Sequence, residues 1–221
     1  MRTQFDEKLE QYFQDTIFLG TMVEEYLLSC IDAFFQGDVL KAKKLVKQDK
    51  KIDELQLKLE QDSVMLLLFQ SPVAKDLRKI VTSIKIFANL ERIGDYACHL
   101  AKLTVKGDRE IYKDFIEPIS TMAKSGAMMI RDSITAYIED NEALALKTAK
   151  KDAEIDHFKK NIISHLLLQN PQNEAEMKQL YRYISICKDL ERLGDHITTI
   201  CEWVVFTVRG EMVDLGKMKE K

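Results

Sequence analysis

A duplicated pentapeptide constrains the fold of this chain more than any other feature. Residues 91–95 read Glu-Arg-Ile-Gly-Asp, and residues 191–195 read Glu-Arg-Leu-Gly-Asp. Each pentapeptide ends a long segment in which apolar residues recur at helical spacing. Two such copies, 100 residues apart, predict that each half of the chain forms the same helical unit.

The duplication extends to polar residues upstream of each pentapeptide. Three pairs recur at an offset of 103: Asp38 with Asn141, Asp49 with Asp152, and Asp53 with Asp156. Because the pentapeptides recur at an offset of 100, the second copy is three residues shorter, about one helical turn. The difference is predicted to fall between Asp156 and Glu191, around the turn that joins the last two helices.

Capping and breaking residues divide the chain into six predicted helices, three in each half. The signals are Gly37-Asp38, Ser71-Pro72, Gly107, the capping-box spacing of Asp114 and Glu117, Asn141, Asn170-Pro171 and Gly210. Only three prolines and eight glycines punctuate the 221 residues, too few for an all-β protein. The predicted fold is all-α, with two pseudo-symmetric antiparallel three-helix bundles in tandem, residues 1–107 and 108–221. A thirty-residue helix is about 45 Å long, so the molecule should be elongated.

Composition and charge argue against several classes of protein. The formal net charge is −3, and we identify no basic block, so nucleic acid is not an expected partner. The first ten residues lack the apolar segment of a signal peptide, and no apolar run approaches the ~18 residues needed to span a bilayer. The four cysteines form no CxxC pair and fall within apolar helical patterns. They are predicted to be buried thiols of a cytoplasmic protein.

Acidic residues continue an apolar helix face in both halves. An apolar stripe along the third helix leads into Glu91 and Asp95, and the equivalent stripe along the sixth helix leads into Glu191 and Asp195. A second apolar stripe lies on the other side of each helix. Residues i and i+4 share a helix face, so each pair places two carboxylates side by side, where they repel by a few tenths of a kcal/mol or by more if buried. A cation is the expected compensation.

The second and fifth helices carry matching acid pairs at the same spacing. In an antiparallel hairpin these pairs fall at nearly the height of the pentapeptide in the first half, and less closely in the second. The predicted metal ligands are Asp49, Asp53, Glu91 and Asp95 in the first half, and Asp152, Asp156, Glu191 and Asp195 in the second. Ligation by oxygen alone favours magnesium, manganese, calcium or iron, singly or as a cluster.

Simpler interpretations of these acids stay open. They could lie on a solvated face, or the arginine of each pentapeptide could neutralise them. Gly94 and Gly194 each cost about 1 kcal/mol within a helix, which favours a close helix approach or room for an ion. His99 could add a ligand in the first half, but Thr199 occupies the equivalent position in the second.

Three segments carry a resemblance to a known family. Residues 72–78 read Pro-Val-Ala-Lys-Asp-Leu-Arg, residues 91–97 end in Gly-Asp-Tyr-Ala, and residues 191–197 end in Gly-Asp-His-Ile. Together they resemble the PhoU family of phosphate uptake regulators, and the likeness covers essentially the whole chain. The resemblance implies two pseudo-symmetric three-helix bundles, a cytoplasmic location and frequent homodimers. It also implies bound metal ions, including multinuclear clusters, of iron or of zinc, manganese or magnesium, on the eight acids named above.

The resemblance also implies a regulatory role. Members of the family act as accessory proteins of a phosphate ABC transporter and negatively regulate the phosphate-starvation response. They contact the transporter's ATPase subunit and a sensor histidine kinase, and are peripheral to the membrane through these partners only. The 72–78 segment has no good counterpart after Pro171, so a partner surface on Lys75, Asp76 and Arg78 is predicted on one side only.

A second hypothesis is a helical-bundle carboxylate metalloenzyme, either an oxidase or a hydrolase. Only one Glu-x-x-His motif is present, at Glu154 and His157, whereas di-iron bundles need two. The sequence contains no nucleophile–base pair at helical spacing and no P-loop. We therefore predict a protein that is not an enzyme. A purely structural interaction module, with its acids on the surface, is the third interpretation.

Overall fold

The computed structural model describes residues 2–70, 74–106 and 112–216. In these ranges the chain forms seven α-helices, a short 3₁₀ segment and no β-strand, so the all-α prediction is confirmed. The helices are α1 (Arg2–Gln36), α2 (Val39–Gln70), α3 (Ala74–Lys106), α4 (Ile116–Ile138), α5 (Glu142–Lys150), α6 (Asp152–Leu167) and α7 (Glu174–Arg209). None of these described helices contains an apolar stretch long enough to cross a membrane. The predicted helix start at Ser71-Pro72 and the predicted boundary at residue 107 lie outside the described residues.

Helices α1, α2 and α3 form the first bundle, with α1 and α2 antiparallel. Near the end of α1, the Tyr26 hydroxyl donates to the Leu45 carbonyl at the start of α2 (3.0 Å). Near the start of α1, Tyr12 shares a 2.5 Å hydrogen bond with Ser63 at the end of α2. Asp38 caps α2 through its side chain, as predicted. The hairpin is thus held at both ends by buried hydroxyl groups.

The second bundle contains α4 and α7 together with a helix that is broken into α5 and α6. Around Lys151 the backbone bonds tighten to i−3: the Lys151 N–H donates to the Thr148 carbonyl (3.0 Å), and the Glu154 N–H donates to the Lys151 carbonyl (2.9 Å). The prediction of one unbroken fifth helix is therefore wrong at this residue. The break places Asp152 in the first turn of α6, where free N–H groups and the helix dipole favour a carboxylate.

Other helix boundaries agree with the prediction or shift by a few residues. Asn141 caps α5, as predicted, by accepting a hydrogen bond from a backbone N–H. The capping box predicted at residues 114–117 does not form, because Phe115 occupies the N-cap position of α4 and has no side-chain acceptor. Helix α7 begins after Asn173, which caps it, and not at Asn170-Pro171.

The chain beyond α7 folds back on that helix. Gly210 ends α7 in the left-handed conformation (φ 78°), as predicted. The tail after it is expected from the sequence to fray. Instead, Leu215 is buried, and its N–H donates to the Glu202 carboxylate (2.8 Å). The described part of the tail is therefore anchored.

Helices α3 and α7 are contacted from two sides, as their two apolar stripes predict. One stripe is fully buried: Ile86, Leu90, Ile93 and Ala97 in α3, and Ile186, Leu190, Leu193 and Ile197 in α7. The stripe that leads into the acids is buried in its later part, but its first residues, Leu77 and Met177, are exposed. All four cysteines are buried free thiols, as predicted.

The two bundles lie side by side and run antiparallel to each other. Helices α3 and α7 are antiparallel, as the hydrogen bonds between them show. In order along α3, these join Thr82 to Thr207, Asn89 to His196, and His99 to Asp189. Helix α1 packs against α4 in the same way, with Glu24 paired to Arg131. A pseudo-twofold axis therefore relates the repeats and passes near Gly94 and Gly194, which lie midway along the α3–α7 contact.

Candidate metal centres

The two pentapeptides lie where α3 crosses α2 and where α7 crosses α6. A Cβ on Gly94 would lie 3.4 Å from methyl groups of Ile52, and one on Gly194 would lie 3.3 Å from Ile155. Ile52 and Ile155 are equivalent at the offset of 103, so the two crossings match in register. The second copy is shorter near the end of its first long helix. At the offset of 103, α6 ends six residues before the position at which α2 ends. A close approach thus explains Gly194, where a Cβ would also overlap Asp152, whereas at Gly94 a Cβ would make an ordinary contact.

Four carboxylates gather at the first crossing, Asp49 and Asp53 from α2 and Glu91 and Asp95 from α3. Burial raises the pKa of Asp49, and the charges of Asp53 and Asp95 raise it further. Burial also raises the pKa of Glu91, to which Asp95, Asp53 and Asp49 add. The charges of these carboxylates act on one another across the crossing, but Asp53 and Asp95 are exposed, and among the described residues no three acids are grouped as the ligands of one ion.

Asp49 and its equivalent, Asp152, each accept a hydrogen bond from the residue three positions after the pentapeptide. The Cys98 thiol donates to Asp49, which lowers the pKa of that carboxyl in part. The Thr198 hydroxyl donates to Asp152 Oδ2 at 3.2 Å. Lys102, on the exposed side of α3, also lowers the pKa of Asp49. The repeat therefore preserves a donor to this acid while its chemistry changes from thiol to hydroxyl.

Arginine supplies part of the compensation that the sequence left open. Arg92 Nε lies 3.4 Å from Glu91 Oε2, and its Nη1 lies 3.2 Å from Asp95 Oδ2. The Arg92 side chain is itself 60% exposed, so solvent screens both contacts. The arginine therefore reduces the repulsion between the carboxylates at the first crossing only in part.

At the second crossing, a lysine of the same repeat compensates part of the negative charge of the acids. Asp152 is fully buried, and its carboxylate fills the space beside the α7 glycine. Lys159 of α6 forms an ion pair with Glu191 of α7, with Nζ 2.7 Å from Oε1 and less than a third of either side chain exposed. Of the other two predicted ligands, Asp156 is half-buried and Asp195 is exposed.

The two acid sets differ in how well they fit a cation. In the part of the chain that the structure describes, no three His, Cys, Asp or Glu side chains are grouped so as to hold an ion, so side-chain rotation would be needed. The first set fits by charge, because the charges of Asp53 and Asp95 add to burial in raising the pKa of Asp49 and of Glu91, and carboxylate oxygens suit hard cations. The second set fits less well, because an ammonium group already occupies it. Metal binding at the eight acids stays a prediction.

Two histidines lie at the interface between the bundles. His99 Nδ1 is hydrogen bonded to Asp189 Oδ2 of the other repeat, and His196 Nδ1 is 2.8 Å from Asn89 Oδ1. The His196 ring also packs against Tyr96, with centroids 5.8 Å apart. The structure thus gives His99 Nδ1 a partner across the interface, and the additional ligand role of this residue stays a prediction.

The predicted partner residues lie at the start of α3. Lys75 Nζ is 3.3 Å from Asp140 Oδ2, in the turn between α4 and α5, and Asp76 is half-buried. The Arg78 guanidinium lies beside Gly210 at the end of α7, 3.6 Å from where a Cβ would be. Lys75 and Arg78 therefore contact the second repeat, and a partner surface on these three residues stays a prediction.

Helix α2 carries a basic surface that was not predicted from the sequence. Five exposed lysines follow the spacing i, i+1, i+4, i+7 and i+8, which places them on one side of the helix: Lys43, Lys44, Lys47, Lys50 and Lys51. Among the described residues, only Lys50 of the five forms an ion pair, with Glu54. A helical projection of α2 would have revealed this surface. The interpretation that the chain has no basic block is therefore wrong.

The role of Lys159 was also not predicted, although comparison of the two repeats shows that it differs from its counterpart. At the offset of 103 its counterpart is Gln56, so the two halves differ by one positive charge at this position. The difference becomes informative only once α6 is seen to present Lys159 to Glu191.

The fold and the acid sets together define a class of protein: an all-α scaffold of two pseudo-symmetric bundles, with carboxylates at each helix crossing. Comparison with known families gives the particular family. The PhoU domain profile matches residues 17–104 and residues 119–204, one match in each repeat. This chain belongs to the PhoU family, as its sequence predicted.

Relatives match over almost the whole chain. A phosphate-specific transport system accessory protein PhoU homolog from Clostridium acetobutylicum is 34% identical over 216 residues, which cover 97% of this chain and 99% of that protein. The crystal structure of the phosphate transport system regulatory protein PhoU from Streptococcus pneumoniae has a TM-score of 0.88 at 26% identity, covering 95% of this chain and 99% of that one. PhoU from Pseudomonas aeruginosa (TM-score 0.84, 24% identity, 94% and 100% covered) supports the fold alone. Membership of this family of accessory and regulatory proteins confirms the prediction that the chain is not an enzyme.

Proposed function

We propose that this protein is a regulatory accessory protein of phosphate transport. The observation that carries the proposal is the match of both repeats to the PhoU domain, together with a relative named as a transport system accessory protein over nearly its full length. The proposal is a role exerted through contacts with other proteins, which suits long helices with solvent-facing sides such as that of α2.

The finer part of the proposal concerns partners and direction of control. The protein acts in the cytoplasm as a homodimer, reaches the membrane only through its partners, and restrains the phosphate-starvation response when phosphate is abundant. Its partners are the ATPase subunit of a phosphate ABC transporter and a sensor histidine kinase. The family resemblance supports each of these statements.

The proposal also includes bound metal. Iron, zinc, manganese or magnesium binds the carboxylates at the helix crossings, where a cation would relieve the mutual repulsion among Asp49, Asp53, Glu91 and Asp95. An ion bound between α2 and α3 would tie these two helices together, because its ligands come from both. Burial and the charges of Asp53 and Asp95 raise the pKa of both Asp49 and Glu91, which supports this part of the proposal.

Deletion of the gene tests the regulatory role. In the organism of origin, a phosphate-starvation reporter should rise several-fold in phosphate-rich medium after deletion and return to its low value when the gene is restored. The rise should vanish in a strain that also lacks the sensor histidine kinase. A reporter that stays low after deletion would show that the protein does not restrain this response.

A further inference from the structure

We propose that a cavity at the interface between the two bundles binds a small oxyanion through Arg182 and Gln179. The proposal comes from a comparison of two equivalent places in the fold, one in each half of the molecule. It goes beyond the proposed regulatory role and depends neither on that role nor on bound metal, so failure of any one of the three leaves the others standing.

The cavity lies where α1 meets α2 and where the end of α3 meets the start of α7. Its volume is about 100 Å³, which is enough for several water molecules or for one small ion. The polar side chains in its wall are Thr104, Gln179, Arg182 and Tyr183, and none of the described residues that line it is acidic. The cavity therefore suits a negatively charged ligand better than a cation.

Gln179 and Arg182 supply the hydrogen-bond donors of this cavity. Gln179 is only 4% exposed, and its Oε1 accepts a hydrogen bond from Arg182 Nη1 (3.0 Å). Among the described residues, the Gln179 Nε2 group has no acceptor and Arg182 has no ion-pair partner. A buried donor without an acceptor is costly, and an oxyanion can accept from an amide and a guanidinium at once.

The equivalent place in the other half of the fold already contains a carboxylate. At the offset of 103, Gly37 corresponds to Asp140, and both residues adopt the left-handed conformation, with φ of 67° and 50°. In each turn the N–H of the next residue donates to the carbonyl five positions before it, at 2.9 and 2.8 Å. The backbone is thus alike at both places, but Gly37 has no side chain where the other half has an acid.

Lysines of α3 bind the carboxylate of Asp140. Lys79 Nζ lies 2.8 Å from Oδ1, and Lys75 Nζ lies 3.3 Å from Oδ2. At the offset of 100, Gln179 is the equivalent of Lys79, and Arg182 supplies the positive charge one turn further along α7. This half therefore keeps a cation and a donor without an acid of its own, and an oxyanion from solution takes the position that Asp140 holds in the other half.

Titration of the full-length protein with inorganic phosphate and, separately, with acetate tests the proposal. Wild type and R182Q are stripped of metal, so that no ion held elsewhere binds the probe, and are compared by calorimetry at constant ionic strength. We expect one ion per chain in the wild type and at least about tenfold weaker binding in R182Q, because charge-assisted hydrogen bonds are lost. The tighter of the two probes identifies the ligand as a tetrahedral oxyanion or as a carboxylate.

The matched control is K178Q, which removes an exposed lysine from the same turn of α7 and should bind as the wild type does. Restoring the missing carboxylate gives a second measure. In G37D the added side chain should take the place of the ion, because aspartate already adopts this backbone conformation at position 140. G37D should therefore lose binding and melt at a higher temperature than G37N, which changes the backbone alike but adds no charge.

The preferred ion should also raise the melting temperature of the wild type and leave that of G37D unchanged. A wild type that binds neither ion would overturn the proposal, as would undiminished binding by either R182Q or G37D. Equal losses in K178Q and R182Q would overturn it as well, because the net charge of the protein alone would then account for the binding.

Discussion

Gly94 and Gly194 occupy equivalent positions, but their neighbours differ. A Cβ on Gly94 would make an ordinary contact with Ile52, 3.4 Å away, whereas a Cβ on Gly194 would overlap the buried Asp152 carboxylate. The sequence indicated close helix approach at both glycines. It could not indicate that one of them also makes room for an acid, because that depends on where the broken helix α5–α6 places Asp152.

Alanine should therefore have opposite effects at the two glycines. G94A should stabilise the protein by up to about 1 kcal/mol, because alanine is the better helix former and its methyl group fits. G194A should destabilise it by about 1–3 kcal/mol, because Asp152 must leave its buried place. Chemical denaturation of both variants decides the matter, and equal shifts of the same sign would contradict the close contact at Gly194.

Asp49 gives a prediction about pH. Burial and neighbouring carboxylates raise its pKa in the folded protein, so the ionised form is less favourable there than in the unfolded chain. Protonated Asp49 therefore favours the folded protein over the unfolded chain. This stabilisation is fully present below the ordinary carboxyl pKa, and it is lost as the pH rises through the raised pKa of Asp49 in the folded protein. In chelator, D49N should therefore be more stable than the wild type at pH 7, by less than about 1 kcal/mol because the group is half-exposed.

The D49N advantage should shrink as the pH falls toward 4, where the wild-type carboxyl becomes protonated. Thermal unfolding across pH 4–8 measures it, with E10Q on the exposed side of α1 as the control. A D49N protein that is less stable than the wild type at pH 7 would show that the hydrogen bond from Cys98 outweighs the repulsion.

At the scale of elements, helix ends were more predictable than helix continuity. Asp38, Asn141 and Gly210 mark helix boundaries through local chemistry that a sequence carries directly. The break at Lys151 has no such signal, because it lies among good helix formers. Helical periodicity predicted the buried stripes of α3 and α7, but Asp95 and Asp195, which continue one of these stripes, are exposed. The partner of Glu191 could be found only from the three-dimensional arrangement.

The turn between α4 and α5 is joined to α3 by two lysines whose effects should differ. Lys79 Nζ lies 2.8 Å from Asp140 Oδ1 with its side chain only 14% exposed, whereas Lys75 is 3.3 Å from Oδ2 and 67% exposed. K79M should cost about 1–2 kcal/mol, because a partly buried charged hydrogen bond is lost. K75M should change stability by less than about 0.5 kcal/mol, because exposed ion pairs contribute little. Urea denaturation compares them, and equal losses would mean that burial does not decide the strength of these contacts.

At the scale of the whole molecule, the duplication correctly indicated two bundles. It could not indicate how they pack, because the contact between α3 and α7 depends on the fit of two apolar surfaces that sequence periodicity only outlines. The pseudo-twofold arrangement places Gly94 and Gly194 near one axis, with the two acid crossings on either side. The two repeats therefore pack alike, but they differ in the helix break at Lys151 and in the charges at the two candidate sites.

The most direct test of this account is anomalous diffraction from crystals of the full-length protein grown with Mn²⁺. We expect an anomalous peak between α2 and α3, within ligand distance of carboxylate oxygens of Asp49, Asp53, Glu91 and Asp95. Acids that point apart into solvent at the first crossing, with no peak between them, would contradict the central claim that the carboxylates of α2 and α3 hold a cation there.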